Sequence, residues 1–149
     1  MIQHAYETKR DVNRHEYQFP SITRIGQEIV DRVVTFAERC GCIGNDLIAV
    51  RLGVHEAMVN AIRHGNGGDP DKTVRIACQV QSDELCFEIE DEGPGFKTRT
   101  VADPTAPDNL GKPGGRGLMM MNHYMSSVEY NDRGNRVVMR RRIDQPACI

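Results

Sequence analysis

Two alternating stretches decide the fold: Val74-Arg75-Ile76-Ala77-Cys78-Gln79-Val80 and Leu85-Cys86-Phe87-Glu88-Ile89. A polar turn at 81–83 joins them. Successive side chains of a strand point to opposite faces of a sheet, so this alternation of apolar and polar residues predicts two half-buried strands. Because the turn is short, the strands are expected to form a β-hairpin, with Cys86 on the face opposite to Phe87.

The chain before this hairpin begins with one predicted strand. Residues 16–19 alternate in the same way and end at Pro20, which predicts a short strand. Residues 1–14 are polar and weakly patterned. Their pattern is compatible with either another short strand or a loose arm.

Two helices are predicted between this strand and the hairpin. Over residues 21–40, apolar residues recur every three or four positions, which is typical of a helix with one buried stripe. We expect Ser21 to cap this helix. The same spacing continues from Asn45 or Asp46, either of which can cap the second helix, until the glycine-rich stretch 65–70 ends it.

The chain after the hairpin is predicted to add a helix and a second hairpin. Residues 91–117 are rich in loop-forming residues, 118–126 have helical spacing, and 128–130 and 136–139 alternate. The order is therefore β-α-α-β-β-loop-α-β-β. We predict an α+β fold: a two-layer α/β sandwich whose mixed, mostly antiparallel sheet is covered on one face by three helices.

The composition is that of one globular domain covering residues 1–149. The chain is 39% hydrophobic and 27% charged, which is enough apolar material for a core. A net charge of -2 gives no electrostatic argument for direct contact with nucleic acid, and no apolar run has the length of a membrane span. The five cysteines show no CxxC spacing, which favours a reducing compartment, so we expect a cytoplasmic protein.

The second predicted helix carries three polar residues that are candidates for a functional site. Glu56, Asn60 and His64 follow one another at intervals of four, so a regular helix would place them on one face. That face borders the apolar stripe, where polar groups need partners. A solvated helix face remains the simpler explanation for such a triplet alone, and Val59 stands where the zinc-protease motif HExxH requires a histidine.

Two glycine-rich loops could complete a ligand site. Asp91 directly follows a predicted strand, where a carboxylate can accept a hydrogen bond from the exocyclic amine of adenine, and Gly93 and Gly95 permit close approach of a ligand. The second loop, Gly114-Gly115-Arg116-Gly117, opens a helix, where free backbone N–H groups and an arginine favour phosphate. Each loop alone is also compatible with an ordinary turn or linker.

The order and separation of these motifs resemble those of the GHKL ATP-binding superfamily, which includes gyrase, histidine kinases and mismatch-repair ATPases. The matching segments are 56–61 for its N box, 91–96 for its first glycine box and 115–118 for its second. The chain is most similar to the bacterial anti-sigma-factor serine-protein kinases, with which it shares His64-Gly65 and Asp69-Pro70. The resemblance extends over residues 15–143.

This resemblance implies a site for ATP and Mg²⁺. Asn60 would coordinate the metal ion, and Glu56 would be the catalytic general base that takes a proton from a serine hydroxyl of a partner protein. Asp91 would hold the adenine amine. The other residues implied to contact the nucleotide are Arg63, His64, Gly93, Gly95, Gly115, Arg116, Gly117 and Leu118. Residues 97–113 would form a lid over ATP.

One position departs from the family pattern. The last hairpin of these proteins commonly carries a Gly-Thr pair, with the threonine near the adenine, whereas Gly134 here is followed by Asn135 and Arg136. The departure implies either a pocket that is closed differently or an altered nucleotide affinity.

The resemblance and the size together favour a free-standing regulatory protein. About 30 residues follow the second glycine box, too few for the transducer domain of gyrase-like ATPases, and residues 21–40 lack the histidine that a histidine kinase phosphorylates. We therefore expect a protein serine/threonine kinase that is also an anti-sigma factor. Its implied partners are an anti-sigma antagonist of STAS type, a sigma factor and a second copy of the chain in a homodimer. The alternatives are a regulatory module that binds ATP without phosphoryl transfer, and an α/β domain with no nucleotide site.

Overall fold

The computed structural model describes residues 6–94 and 121–143. Within them the elements follow in the order β1 (Glu7–Arg10), β2 (Arg14–Pro20), α1 (Thr23–Arg39), α2 (Gly44–Val59), a π-helix (Asn60–Gly65), β3 (Thr73–Gln81), β4 (Glu84–Glu90), β5 (Ser127–Tyr130) and β6 (Arg136–Arg142). Residues 121–124 are also helical and form the described part of the predicted third helix. Among these helices, none combines the length and the apolar character that a bilayer crossing requires.

The six strands form one sheet in the order β1-β2-β3-β4-β6-β5. Both predicted hairpins are confirmed, and so is the α+β class with three helices. Every neighbouring pair of the described strands is antiparallel, so the sheet has no mixed part there. Of the two possibilities for residues 1–14, the described part contains a strand, since β1 (Glu7–Arg10) lies beside β2 at the edge of the described sheet.

The alternation of the sequence separates a buried face of the sheet from an open one. Ile76, Phe87 and Ile89 are almost fully buried, whereas Cys86 on the opposite face is only partly so, as predicted. Each large apolar side chain that is buried contributes about 1.5–3 kcal/mol. The helices α1 and α2 pack closely where a Cβ at Gly26 would collide with the side chain of Met58.

The open face of the sheet carries an ion-pair network around Glu88. This side chain is 13% exposed, and its carboxylate lies 3.4 Å from Arg75 and 3.7 Å from Arg14. It also pairs with Arg136. The three arginines lie on β3, β2 and β6, so one carboxylate on β4 links strands on both of its sides.

Both predicted helix caps are wrong. The cap residue of α1 is Ile22, and that of α2 is Ile43; neither makes a side-chain capping bond. The Ser21 hydroxyl donates instead to the Lys72 carbonyl at 2.9 Å, a partner 51 residues away. A long-range contact has therefore replaced the local one on which the prediction depended.

Candidate functional site

The C-terminal end of α2 presents the first two predicted site residues. Glu56 and Asn60 lie one turn apart, and the Asn60 backbone N–H donates to the Glu56 carbonyl. Both side chains are half-buried. Within the described residues, neither side chain makes a hydrogen bond or an ion pair. A carboxylate and an amide oxygen are thus free to contact a ligand.

From Asn60 onward the helix widens into the π-helix, which the sequence did not predict. The Asn66 N–H donates to a carbonyl five residues earlier at 2.9 Å. A π-turn contains more residues than an α-turn, so the backbone there is wider than the regular helix that the sequence predicts. The alignment of Glu56, Asn60 and His64 on one face stays a prediction. Both His64 and Arg63 are exposed, and their contact with phosphate stays a prediction.

Asp91 lies directly after β4 and against the last residue of the π-helix. A Cβ on Gly65 would overlap with the Asp91 carboxylate, and a Cβ on Gly93 would overlap with the Gly65 carbonyl. Asp91 Oδ1 accepts a hydrogen bond from the Gly93 N–H at 2.8 Å, whereas no described residue donates to Oδ2. A carboxylate oxygen to which no described residue donates can accept a hydrogen bond from the exocyclic amine of adenine.

The electrostatics of this carboxylate are set by its burial. Burial raises the pKa of Asp91, and the Gly93 N–H and the charge of Arg133 oppose that rise. The pKa of Tyr130 is raised by burial and by the neighbouring negative charge of Asp91. A half-buried acceptor of this kind interacts more strongly with a hydrogen-bond donor than an exposed carboxylate does.

Asn66 holds the Asp91 loop from the side of the π-helix. It is 2% exposed, and its Nδ2 donates to Ser21 Oγ at 2.7 Å and to the Thr73 carbonyl at 2.9 Å. Its Oδ1 accepts the backbone N–H of Glu92 at 2.8 Å. Glu92 in turn accepts hydrogen bonds from the N–H and hydroxyl of Thr73. One amide therefore connects the start of α1, the start of β3 and the loop after β4.

Asn135 holds the same loop from the other side. Its backbone carbonyl accepts the Asp91 N–H at 2.9 Å, and its Nδ2 donates to the Asp91 carbonyl at 3.1 Å. Its Oδ1 accepts from Asn131 Nδ2 at 2.8 Å. Arg133, in the same turn, donates to the Gly93 carbonyl at 2.8 Å. Asn135, which departs from the family pattern, thus fixes the backbone of Asp91, the candidate acceptor for the adenine amine.

Sequence reasoning missed Asn66, and it did not foresee the contact of Asn135. The only signal for Asn66 was a polar residue between glycines at a helix end. For Asn135 the signal was the departure from the Gly-Thr pair. Asn66 bonds to Ser21 and Glu92, which lie 45 and 26 residues away, and Asn135 bonds to Asp91, 44 residues away. No local pattern shows these contacts.

The remaining predicted contacts lie outside the described residues. They are Gly95, Gly115, Arg116, Gly117 and Leu118, together with the lid at 97–113. The described part of the site therefore consists of the end of α2, the π-helix, the loop after β4 and the turn before β6. It brings Gly65, Asp91 and Gly93 into contact at the end of the helix that carries Glu56 and Asn60.

Curated proteins resemble the chain over most of its length. It is 29% identical over 124 residues to an anti-sigma F factor of Oceanobacillus iheyensis, covering 78% of this chain and 84% of that protein. An anti-sigma F factor of Clostridium perfringens is 29% identical over 106 residues, covering 66% and 74%. A serine-protein kinase RsbW of Listeria innocua is 27% identical over 116 residues, covering 73% and 74%.

A family model agrees with these similarities and with the fold. The model of the histidine kinase-like ATPase domain matches residues 21–141, which include α1, α2, the Asp91 loop and nearly all of β6. The match covers well over half of the chain, so this protein belongs to the histidine kinase-like ATPase domain family.

Proposed function

We propose that this protein binds ATP with Mg²⁺ and acts as a serine-protein kinase and anti-sigma regulatory factor. The observation that carries the proposal is Oδ2 of Asp91, which accepts no hydrogen bond from any described residue. This carboxylate packs against Gly65 at the end of the helix that bears Glu56 and Asn60. This arrangement supports the proposal because it offers an acceptor for adenine, an amide oxygen for a metal ion and a carboxylate for a base.

The proposed roles follow from the chemistry of each side chain. Asp91 accepts the adenine amine, and the amide oxygen of Asn60, a hard ligand, holds the metal ion together with the phosphates. The bound Mg²⁺ supplies charge neutralisation at the phosphates. Glu56 takes the proton of a partner's serine hydroxyl while the serine oxygen bonds to the γ-phosphorus and ADP leaves.

The names of the relatives support the proposed regulatory role. Proteins called anti-sigma F factor and serine-protein kinase RsbW share 27–29% identity with this chain. We propose by extension that the serine belongs to an anti-sigma antagonist of STAS type, that a sigma factor is the second partner, and that the chain forms a homodimer. The cytoplasm is the compartment in which such partners meet.

Calorimetric titration tests the nucleotide site first. Mg-ATP should bind to the wild type and to Glu38→Gln, an exposed position on α1, but much more weakly to Asp91→Asn, which replaces the acceptor by an amide. Equal binding by wild type and Asp91→Asn would refute the proposed adenine contact.

Phosphoryl transfer is tested separately with labelled ATP and a purified antagonist. The wild type and Glu38→Gln should label the antagonist, while Glu56→Gln should bind ATP normally and transfer at least about a hundredfold more slowly, the size typical of a lost general base. Transfer that survives Glu56→Gln unchanged would refute the role of the base.

A second candidate function is a regulatory module that binds ATP without transfer. It is favoured by Asn135, whose side-chain amide is used by the Asp91 backbone and by Asn131 rather than left for a nucleotide. Three results together would establish this function in place of the kinase. The protein would bind ATP, it would bind a sigma factor, and it would not label the antagonist.

A further inference from the structure

A cleft lies between the β1–β2 hairpin and the last turn of α1, at the end of the sheet away from Asp91. The strand register shows this separation: Pro20 pairs with Thr73 near the Asp91 loop, whereas Arg14 pairs with Gln79 at the far end of β3. The cleft has a volume of about 520 Å³. Pockets that hold small organic ligands fall in the range of about 300–1,000 Å³.

The floor of the cleft contains a mostly buried histidine whose ring nitrogens have no hydrogen-bond partner among the described residues. His15 is in phase with the buried residues of β2, is 6% exposed and lines the cleft. Its ring packs against Phe36 with the centroids 4.8 Å apart. Within residues 6–94 and 121–143, neither ring nitrogen takes part in a hydrogen bond. These nitrogens are not among the fully buried polar atoms that lack a partner, so the edge of the ring is open to the cleft and can donate to or accept from a ligand.

Three arginines surround this histidine. Arg10 and Arg39 line the cleft, and Arg32 lines a smaller concavity beside it that shares Arg10, Arg39 and His15. Among the described residues none of the three forms an ion pair, in contrast to Arg14 and Arg75 on the open face. The guanidinium groups of Arg10 and Arg39 at the cleft, with that of Arg32 at the adjoining concavity, repel one another, and an anion would relieve that repulsion.

The acidic residues near the cleft do not cancel this charge. Asp11 also lines it, but its Oδ1 accepts the backbone N–H groups of Asn13 and Arg14, both at 2.9 Å, and so shapes the hairpin turn. Glu7 lies at the smaller concavity. Counted over both concavities, the three guanidinium groups exceed the two carboxylates by one charge.

We propose that this cleft binds a small organic anion, in which a phosphate or carboxylate group meets Arg10, Arg39 and His15 and an apolar body packs on Phe36 and Val12. Guanidinium forks match both oxyanions. Burial, together with Arg39 and Arg10, lowers the pKa of His15, so the ring is neutral and has one N–H to donate. Val12 is 71% exposed and provides an apolar rim.

The site is tested by NMR titration of the labelled full-length protein without nucleotide, so the outcome is independent of the ATP site. The probes are phenyl phosphate, benzoate and, as the neutral control, benzyl alcohol. The two anions should shift the His15 ring signals and the amide signals around Arg39, and benzyl alcohol should not. Preference for one anion identifies the oxyanion that the site selects.

The variant Arg39→Gln supplies the second readout. Arg39 is exposed, so the substitution should leave the fold intact, and it should weaken binding of the anion about tenfold or more, as expected for loss of a charge-assisted hydrogen bond. The control is Arg24→Gln, an exposed arginine near the other end of the same helix that should bind like the wild type. Equal shifts with benzyl alcohol, shifts confined to Asp91 and Gly93, or unchanged affinity in Arg39→Gln would each overturn the proposal.

Discussion

Gly65 lies so close to the carboxylate of Asp91 that no side chain can be added at residue 65 without moving one of them. The contact joins the end of the π-helix to the loop after β4. It links the helix that bears Glu56 and Asn60 to the candidate adenine acceptor, and the relative placement of these groups therefore depends on a glycine.

The first prediction concerns this contact. Gly65→Ala should displace the Asp91 carboxylate and lower the affinity for Mg-ATP at least about tenfold, the cost of a misplaced charged acceptor. The measurement is calorimetric titration. Gly67→Ala is the matched control, because a Cβ at residue 67 would meet no other atom. The φ of +64° at this position disfavours alanine, so the variant should lose about 1–2 kcal/mol of stability but keep its affinity for Mg-ATP. Equal loss of affinity in both variants would contradict the role of the contact.

The second prediction concerns Asn66. Asn66→Ala removes two donated hydrogen bonds and leaves the Glu92 N–H without its acceptor, so the free energy of unfolding should fall by about 2–4 kcal/mol. Denaturant unfolding measures the change. Asn45→Ala, at an exposed position of α2, should change stability by less than about 0.5 kcal/mol. If Asn66→Ala changes the free energy of unfolding as little as Asn45→Ala does, the hydrogen bonds of Asn66 contribute little to stability.

The third prediction separates the two sides of the Asp91 loop. Asn135→Ala removes the bond from Nδ2 to the Asp91 carbonyl and should weaken Mg-ATP binding several-fold, with a loss of stability of about 1–2 kcal/mol. Asp132→Ala, exposed in the same turn, is the control and should behave like the wild type in both assays. If Asn135→Ala binds Mg-ATP as tightly as the control, the turn before β6 does not position the acceptor.

The fourth prediction concerns acid stability. Burial raises the pKa of Glu88, but Arg75 and Arg136 lower it more, and the net pKa lies below the usual value of 4.5. The unfolded chain therefore binds this proton more readily than the folded one. The resulting stabilisation is complete above about pH 4.5 and is lost as the pH falls through the lower folded pKa.

Glu88→Gln should consequently lower the free energy of unfolding at pH 7 by about 1–2 kcal/mol and flatten its decline below pH 4.5. Denaturant unfolding between pH 3 and pH 7 measures both effects. The control is Glu129→Gln, whose side chain is 72% exposed and lies 4.0 Å from Arg140. If the free energy of unfolding of Glu88→Gln declines below pH 4.5 as steeply as that of the wild type, another carboxylate is responsible for the decline.

Periodicity predicted most of the fold because it records which face of each element is buried. The alternation around Phe87 and the helical stripe through Val33 and Val54 each correspond to a buried face in the structure. Local rules failed where a side chain had a distant partner. Ser21 was expected to cap α1, but it bonds to Lys72 and Asn66, which lie 51 and 45 residues away.

The sequence by itself determined the α+β class, the two hairpins and the order of the motifs around Glu56 and Asp91, because these depend on local spacing. Tertiary structure decided the π-helix after Asn60, the contact of Gly65 with Asp91, and the hydrogen bonds of Asn66 and Asn135 that hold the loop. The physical reason is that a buried polar group must find a hydrogen-bond partner, and only the folded chain determines which distant group that partner is.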